Sequence, residues 1–343
     1  MPRVQSSDGN PPQAVADLRV ATVASTPHFE CISASCTALD VLDQDWSSEA
    51  GLPHLLLIES SGLRTHSGGG GPLADAKVER AAELIAWAER NGVSTALWET
   101  ALRRRIKTPI LLMRMVEHLF VADPEAGEPL TEQLKGRRPM QLPLAAQRVP
   151  DAVPGFGDRS HQIAFLGRWP EGFSGRLRDE LEAILDVASD RGLVIFQSER
   201  AKTNDALPER FSSFVRPVSS AADAVEAFAD SRMVVGFDPA NIGRLVVPQL
   251  TLEALAAGSA VIAPNHAGIR RMFRYSALVT KDHEEAKEGI ERILGSEEEW
   301  NEESDVARKA ILHAHTYSHR LATIASAARF RVVPAADPKS AVA

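Results

Sequence analysis

Cysteine is nearly absent from this 343-residue sequence; Cys31 and Cys36 are the only two. Two close cysteines match neither a disulfide framework nor a zinc site, so a reducing, cytoplasmic setting is expected. No stretch reaches the roughly 18 consecutive apolar residues that suggest a membrane-spanning helix. Residues 1–14 are polar, carry proline and lack the apolar centre of a secretory signal. They read as a disordered lead-in, as does the Ala-, Pro- and Ser-rich stretch after Val333. Peripheral contact with the inner membrane surface is left open, because it needs no span.

An excess of basic residues is missing as well. Lys and Arg number 38 against 46 Asp and Glu, a formal net charge of -8, which argues against a broad nucleic-acid surface. Arg103, Arg104, Arg105 and Lys107 form a short basic cluster. No aromatic residues interleave with it to make a stacking platform for single strands. No GxGxxG follows any apolar run, and no GxxxxGK[ST] occurs, which removes the dinucleotide fingerprint and the P-loop. HExxH is absent too. His313, His315 and His319 cluster, but only the last two would share a helical face, and no carboxylate joins the run. No metal is expected to be required.

What is present is a repeating alternation. Short apolar runs at 18–23, 55–58, 93–98 and 118–122 predict strands, and residues 75–91 repeat apolar side chains at helical spacing. Residues 32–40 are expected to be helical. The run 139–145 reads as extended, and the Pro-, Gly- and Asp-bearing stretch 150–160 reads as a linker. The rhythm then restarts. Strands are expected at 163–166, 193–196, 233–235, 260–263 and 278–279, and helices at 176–189, 221–229, 250–257, 284–294 and 302–314. Strands continuously apolar and alternating with helices imply parallel sheets covered on both faces, in an α/β class. The length suits two domains of about 100–150 residues with flanking segments.

In such sheets ligands lie beyond the carboxyl ends of strands, so the residues there are the candidates. Glu253 sits in 248–264, PQLTLEALAAGSAVIAP, among small apolar residues. A carboxylate there can accept both hydroxyls of a ribose. Gly167 and Arg168 close the strand at 163–166; a backbone amide and a guanidinium suit a diphosphate and the charge of its departure. Asn265, His266, Ala267 and Gly268 follow a buried strand as a polar loop, expected to present donors to a sugar or its phosphates. Glu59 and Glu99 end two strands of the first half. Glu59 is the candidate catalytic base for an acceptor hydroxyl, and Glu99 reads better as a structural cap.

Several pieces in order resemble a known family. They are Leu57-Ile58-Glu59-Ser60 before a glycine-rich loop, Thr95-Ala96-Leu97-Trp98-Glu99, and 118–124 followed by 142–146. Ile163 to Gly167, Leu252 to Gly258 and His315-Thr316-Tyr317-Ser318-His319-Arg320 complete the series. Together they resemble the CgeB/spore-maturation-type glycosyltransferase-like proteins, whose C-terminal half resembles the glycosyl transferases group 1 domain. The resemblance implies a GT-B fold, two Rossmann-like domains with parallel sheets facing across a cleft. It places an N-terminal acceptor-side domain at 15–155 and a nucleotide-sugar-binding domain at 160–320. Residues 321–335 are expected to pack back on the first domain. It implies transfer of a sugar from a nucleoside diphosphate sugar to a hydroxyl-bearing acceptor, with Glu253 as the donor-binding glutamate. The partners are then a nucleotide sugar and an acceptor of small-molecule, glycan or protein type; homo-oligomerisation is left open. The sequence departs from the family where Thr100 and Ala101 replace an acidic residue and proline, and where Leu250 replaces an arginine. These departures keep two alternatives in view, a non-catalytic nucleotide- or glycan-binding protein and a sugar-nucleotide epimerase of the same fold.

Overall fold

Leu55, Leu56, Leu57 and Ile58 show how the first sheet is built. Successive side chains of a strand point to opposite faces. Leu55 and Leu57 join one core cluster, Leu56 and Ile58 another, and all four are buried. The strand therefore needs apolar residues at every position. The computed structural model describes residues 15–42, 51–65, 73–146, 152–166, 169, 173–198, 207–218, 221–238 and 243–328. It divides into two units, residues 1–147 with 316–343, and residues 148–315.

The first unit runs β1 (Arg19–Val23), α1 (Thr26–Ser33), β2 (Thr37–Asp40), β3 (Leu55–Glu59), α2 (Asp75–Arg90), β4 (Ser94–Glu99), α3 (Ile110–Met115), β5 (His118–Val121), α4 (Gly127–Gln133) and β6 (Met140–Gln141). Its sheet has the order β2-β1-β3-β4-β5-β6, with all pairings parallel. Ala81, Leu84, Ile85 and Ala88 of α2 bury one helical stripe against one face. The expected helix at 32–40 is corrected. Pro27 lies in the first turn of a helix that is over by Ser33, and Thr37–Asp40 is an edge strand paired with β1.

The second unit runs β7 (His161–Leu166), α5 (Arg176–Ser189), β8 (Leu193–Ser198), β9 (Val215–Val218), α6 (Ala221–Ala229), β10 (Ser231–Val235), α7 (Gln249–Ala256), β11 (Ala260–Pro264), α8 (Ala267–Met272), β12 (Leu278–Thr280), α9 (His283–Gly295) and α10 (Glu297–Ala314). Its strands are again parallel, in the order β12-β11-β10-β7-β8-β9. Asp282 and Ser296 cap α9 and α10 by accepting the N–H groups of Glu285 and Glu299. Ile163, Phe165, Ile195, Met233, Val235 and Ile262 pack under Leu181, Ile184 and Leu185 of α5 and Ile290 of α9.

Part of the expected linker is firmly held. Arg159 is buried and donates to the carbonyls of Pro154, Ser231, Ala257 and Gly258 and to the Ser259 hydroxyl, at 2.8–3.1 Å. Burial pushes its pKa down to about 10. The chain then re-enters the first unit through α11 (Tyr317–Ala327), whose Tyr317, Leu321, Ile324 and Ala325 pack with Trp98, Phe120 and Leu142. Arg320 fastens this helix by donating to the carbonyls of Pro143 and Leu144 at 2.7 and 2.8 Å.

Candidate functional site

Each sheet has one point where the strand order reverses, and the chain leaves neighbouring strands in opposite directions there. That opening is where open α/β sheets bind ligands. In the second unit it lies between β7 and β10. Gly236, Phe237 and Asp238 leave the end of β10, and Thr251 in the first turn of α7 donates its hydroxyl to the Gly236 carbonyl. That bond fixes α7 against the strand end. The second turn of α7 carries Glu253 among Leu252, Ala254, Leu255 and Ala256, and it is 3 % exposed. It is not a solvent-facing helix glutamate. The Gln249 amide, one turn earlier, donates to its carboxylate. Its place in the helix that follows β10, at the switch point of the sheet, makes it the leading ligand candidate of this unit.

Asn265 and His266 follow β11, the next strand out. The helix α5 clamps this loop. Glu180, itself buried, accepts the Asn265 N–H at 2.9 Å and is paired with Arg176 at 3.1 Å. Arg176 also donates to the Asn265 carbonyl at 3.5 Å. His266 is 2 % exposed, and its Nε2 meets the Gly243 carbonyl at 2.7 Å. A carbonyl only accepts, so Nε2 carries the proton and Nδ1 is a bare acceptor. Burial holds the imidazole pKa below its ordinary value, which keeps the ring neutral at pH 7. Among the described residues, neither His266 Nδ1 nor the buried Asn265 Oδ1 has a hydrogen-bond partner. An unmet buried acceptor costs about 1–3 kcal/mol. Gly268 is required by its surroundings, since a Cβ would lie 2.9 Å from the Leu245 backbone.

An aromatic series unseen in the sequence runs beside these groups. Trp169, Phe173, Phe237 and His266 follow one another with ring centroids 5.3, 6.4 and 5.9 Å apart. They are scattered over about a hundred positions of sequence, and only the strand order brings them together. Gly167 and Arg168, the expected diphosphate residues, lie outside the described residues.

The first unit reverses strand order between β1 and β3, where Glu59 ends β3. Glu59 is fully buried. One carboxylate oxygen accepts the Ser61 N–H at 3.0 Å and the Thr100 hydroxyl; the other accepts the Ser61 hydroxyl. The His28 ring stands 3.8 Å away and meets the Tyr317 hydroxyl. Enclosed in this way, Glu59 caps the turn at Ser60–Leu63 and has no face open to an acceptor hydroxyl. Glu99 is fully buried as well. It accepts from Ser60 at 2.7 Å, Ala101 N–H at 2.8 Å and Thr108 at 2.6 Å, in keeping with a cap. Burial raises its pKa, opposed by these hydrogen bonds. Ser25, whose hydroxyl lies 2.7 Å from that of Ser61, escaped the sequence reading together with His28, Thr108 and Tyr317, because no spacing links groups up to 289 residues apart. The expected histidine cluster separates: His315 packs on Phe273, and His319 bonds Thr316. Among the described residues no three His, Cys, Asp or Glu side chains gather as a metal site.

Residues 197–326 match a family model described as glycosyl transferase-like. That match spans well under half of the chain and is to the broad family, not to the narrower CgeB type. No curated protein matches the chain. Several solved structures share its fold. The alpha-glucosyltransferase AGT in complex with UDP superposes with a TM-score of 0.62 at 9% identity, covering 91% of this chain and 100% of that one. WaaG, a glycosyltransferase involved in lipopolysaccharide biosynthesis, gives 0.50 at 12%, covering 90% and 99%. TarM of S. aureus, in complex with UDP and two saccharide ligands, gives 0.51 at 10%, covering 80% and 55%. The fold is GT-B, with two parallel six-stranded sheets each covered by helices. Among the described residues no helix is long and apolar enough to cross a membrane.

Proposed function

We propose that this protein is a glycosyltransferase that takes a sugar from a nucleoside diphosphate sugar and passes it to a hydroxyl-bearing acceptor. One observation carries the reading: Glu253, a buried carboxylate in a helix that starts beside the switch point of the second sheet. Its carboxylate accepts the two ribose hydroxyls of the donor. The GT-B fold and the family match over 197–326 support this, as does the UDP in the AGT and TarM structures. The order and spacing of the pieces resembling CgeB-type proteins support a finer placement within that broad family.

The Gly167 amide and Arg168 take the diphosphate. As the acceptor oxygen bonds to the anomeric carbon, the bond from that carbon to the diphosphate breaks, its electron pair leaves with the phosphate, and the acceptor's hydroxyl proton passes to the departing phosphate oxygen. Arg168 offsets that charge, so no bound metal is invoked. The first unit supplies the acceptor side, where Glu59 holds the turn after β3. Cys31 and Cys36 are both buried and outside any disulfide, which fits a reducing, cytoplasmic setting.

The test is release of nucleoside diphosphate from a panel of sugar nucleotides, with water and simple glycosides as acceptors. Turnover of one donor, unchanged by a metal chelator and reduced about a hundredfold or more in Glu253→Gln, is expected. A folded protein that binds a nucleotide and releases nothing from any donor would instead mark a non-catalytic binding protein.

A further inference from the structure

The loop after β11 was expected to offer hydrogen-bond donors to a sugar or its phosphates. Its geometry adds two acceptors to that expectation. The backbone N–H and carbonyl groups of Asn265 and His266, and the His266 Nε2–H, are already committed. The Asn265 N–H goes to Glu180 and its carbonyl accepts from Arg176. The His266 N–H is bonded to the Pro264 carbonyl, its own carbonyl accepts from Arg270 N–H, and Nε2–H is bonded to Gly243. What these two neighbours leave unmet and buried is Asn265 Oδ1 and His266 Nδ1. Both are acceptors.

Two adjacent bare acceptors repel a phosphate and a carboxylate alike. They accept from O–H and N–H groups, and a sugar supplies hydroxyls where an ionised diphosphate supplies none. The clamp by Glu180 and the close approach of Gly268 to the Leu245 backbone hold the loop in place, so the pair is preorganised. Protonation would convert Nδ1 to a donor, and burial opposes that. Glu253 already supplies the carboxylate suited to the ribose, which leaves the pair for other hydroxyls.

We infer that Asn265 Oδ1 and His266 Nδ1 form a hydroxyl-reading pair that binds the transferred sugar of the donor and takes no part in holding its diphosphate. The inference rests on the proposed donor site in the second unit. It predicts that the pair discriminates a sugar nucleotide from the bare nucleotide, and that substitutions there alter sugar choice ahead of nucleotide affinity.

The experiment uses the full chain, labelled with 15N at histidine, and follows the His266 ring nitrogens. The probes are UDP, GDP, ADP, TDP and CDP, then the glucose, galactose and N-acetylglucosamine esters of the one that binds. In the free protein the ring is expected as the neutral Nε2–H form with an unbonded Nδ1. A sugar ester should move the Nδ1 resonance as it gains a hydrogen bond, while the bare diphosphate leaves it unmoved. In parallel, Asn265→Leu and His266→Phe should weaken the sugar ester about tenfold, the worth of one hydrogen bond, and leave the bare diphosphate within about twofold. The resonance measurement stands on the unsubstituted protein even if a variant fails to fold. A proton on Nδ1 in the free protein would overturn the inference, as would an equal response to bare diphosphate or binding of all three esters with no response at Nδ1. Each of these outcomes leaves the donor site standing. Absence of binding by all five diphosphates would remove the donor reading itself, and this inference with it.

Discussion

At the scale of single residues, burial converts ordinary carboxylates into committed ones. Glu99 is enclosed, and its raised pKa comes first from desolvation, against the hydrogen bonds of Thr108, Ser60 and Ala101 and with the neighbouring Glu59 adding to the rise. The folded state therefore holds this proton more tightly than the unfolded state does. The stability it contributes is whole below the ordinary value of 4.5 and is lost as pH climbs through the raised folded value. Glu99→Gln cannot lose a proton. Urea unfolding over a pH series should show the native protein losing stability relative to this variant as pH rises above the carboxylate range. Parallel curves would contradict the assignment. His266 works with the opposite sign. Its folded pKa is lowered, so its contribution is present above the ordinary imidazole range and is lost as pH falls through the folded value. His266→Phe should flatten the loss of stability seen on mild acidification.

At the scale of elements, the close packing of strand ends is what shapes both switch points. A Cβ on Gly62 would lie 2.7 Å from the Ala24 backbone, just past β1. Gly62→Ala must push two backbones apart and should cost about 1–3 kcal/mol, read from thermal unfolding. Gly127 opens α4 with free space around it, so Gly127→Ala should be neutral or stabilise by up to about 1 kcal/mol. Equal losses in both would show that crowding is not the cause. The same packing explains what the sequence could reveal. Leu55 to Ile58 announced a strand covered on both faces, and the stripe in α2 announced its helix, because each pattern is long and one-valued. Residues 32–40 misled, since α1 and β2 are too short for either period to emerge. Glu253 was visible as a carboxylate among small apolar residues. The acceptor role of Asn265 and His266 was not, because it depends on Glu180 and Gly243 having already used their other polar groups.

At the scale of the whole molecule, the chain is two parallel α/β units, and the first is completed only by α11. Arg320 is buried at 6 % exposure, its pKa is pushed down to about 10, and it meets two carbonyls of the segment after β6. Arg320→Met leaves those carbonyls unpaired and should cost about 2–5 kcal/mol. Hydrogen exchange should then quicken in peptides covering 142–146 and 317–327, with those from β10 and β11 unchanged. Uniform quickening across both units would contradict this local role.

If the second unit binds a nucleoside diphosphate through Glu253, the interaction is directly measurable. Calorimetric titration with UDP, GDP, ADP, TDP and CDP, repeated on Glu253→Ala, tests it most directly. Clear binding of one diphosphate is expected, lost or weakened by about tenfold or more in the variant. Silence from all five in folded protein, or binding indifferent to Glu253, would contradict it.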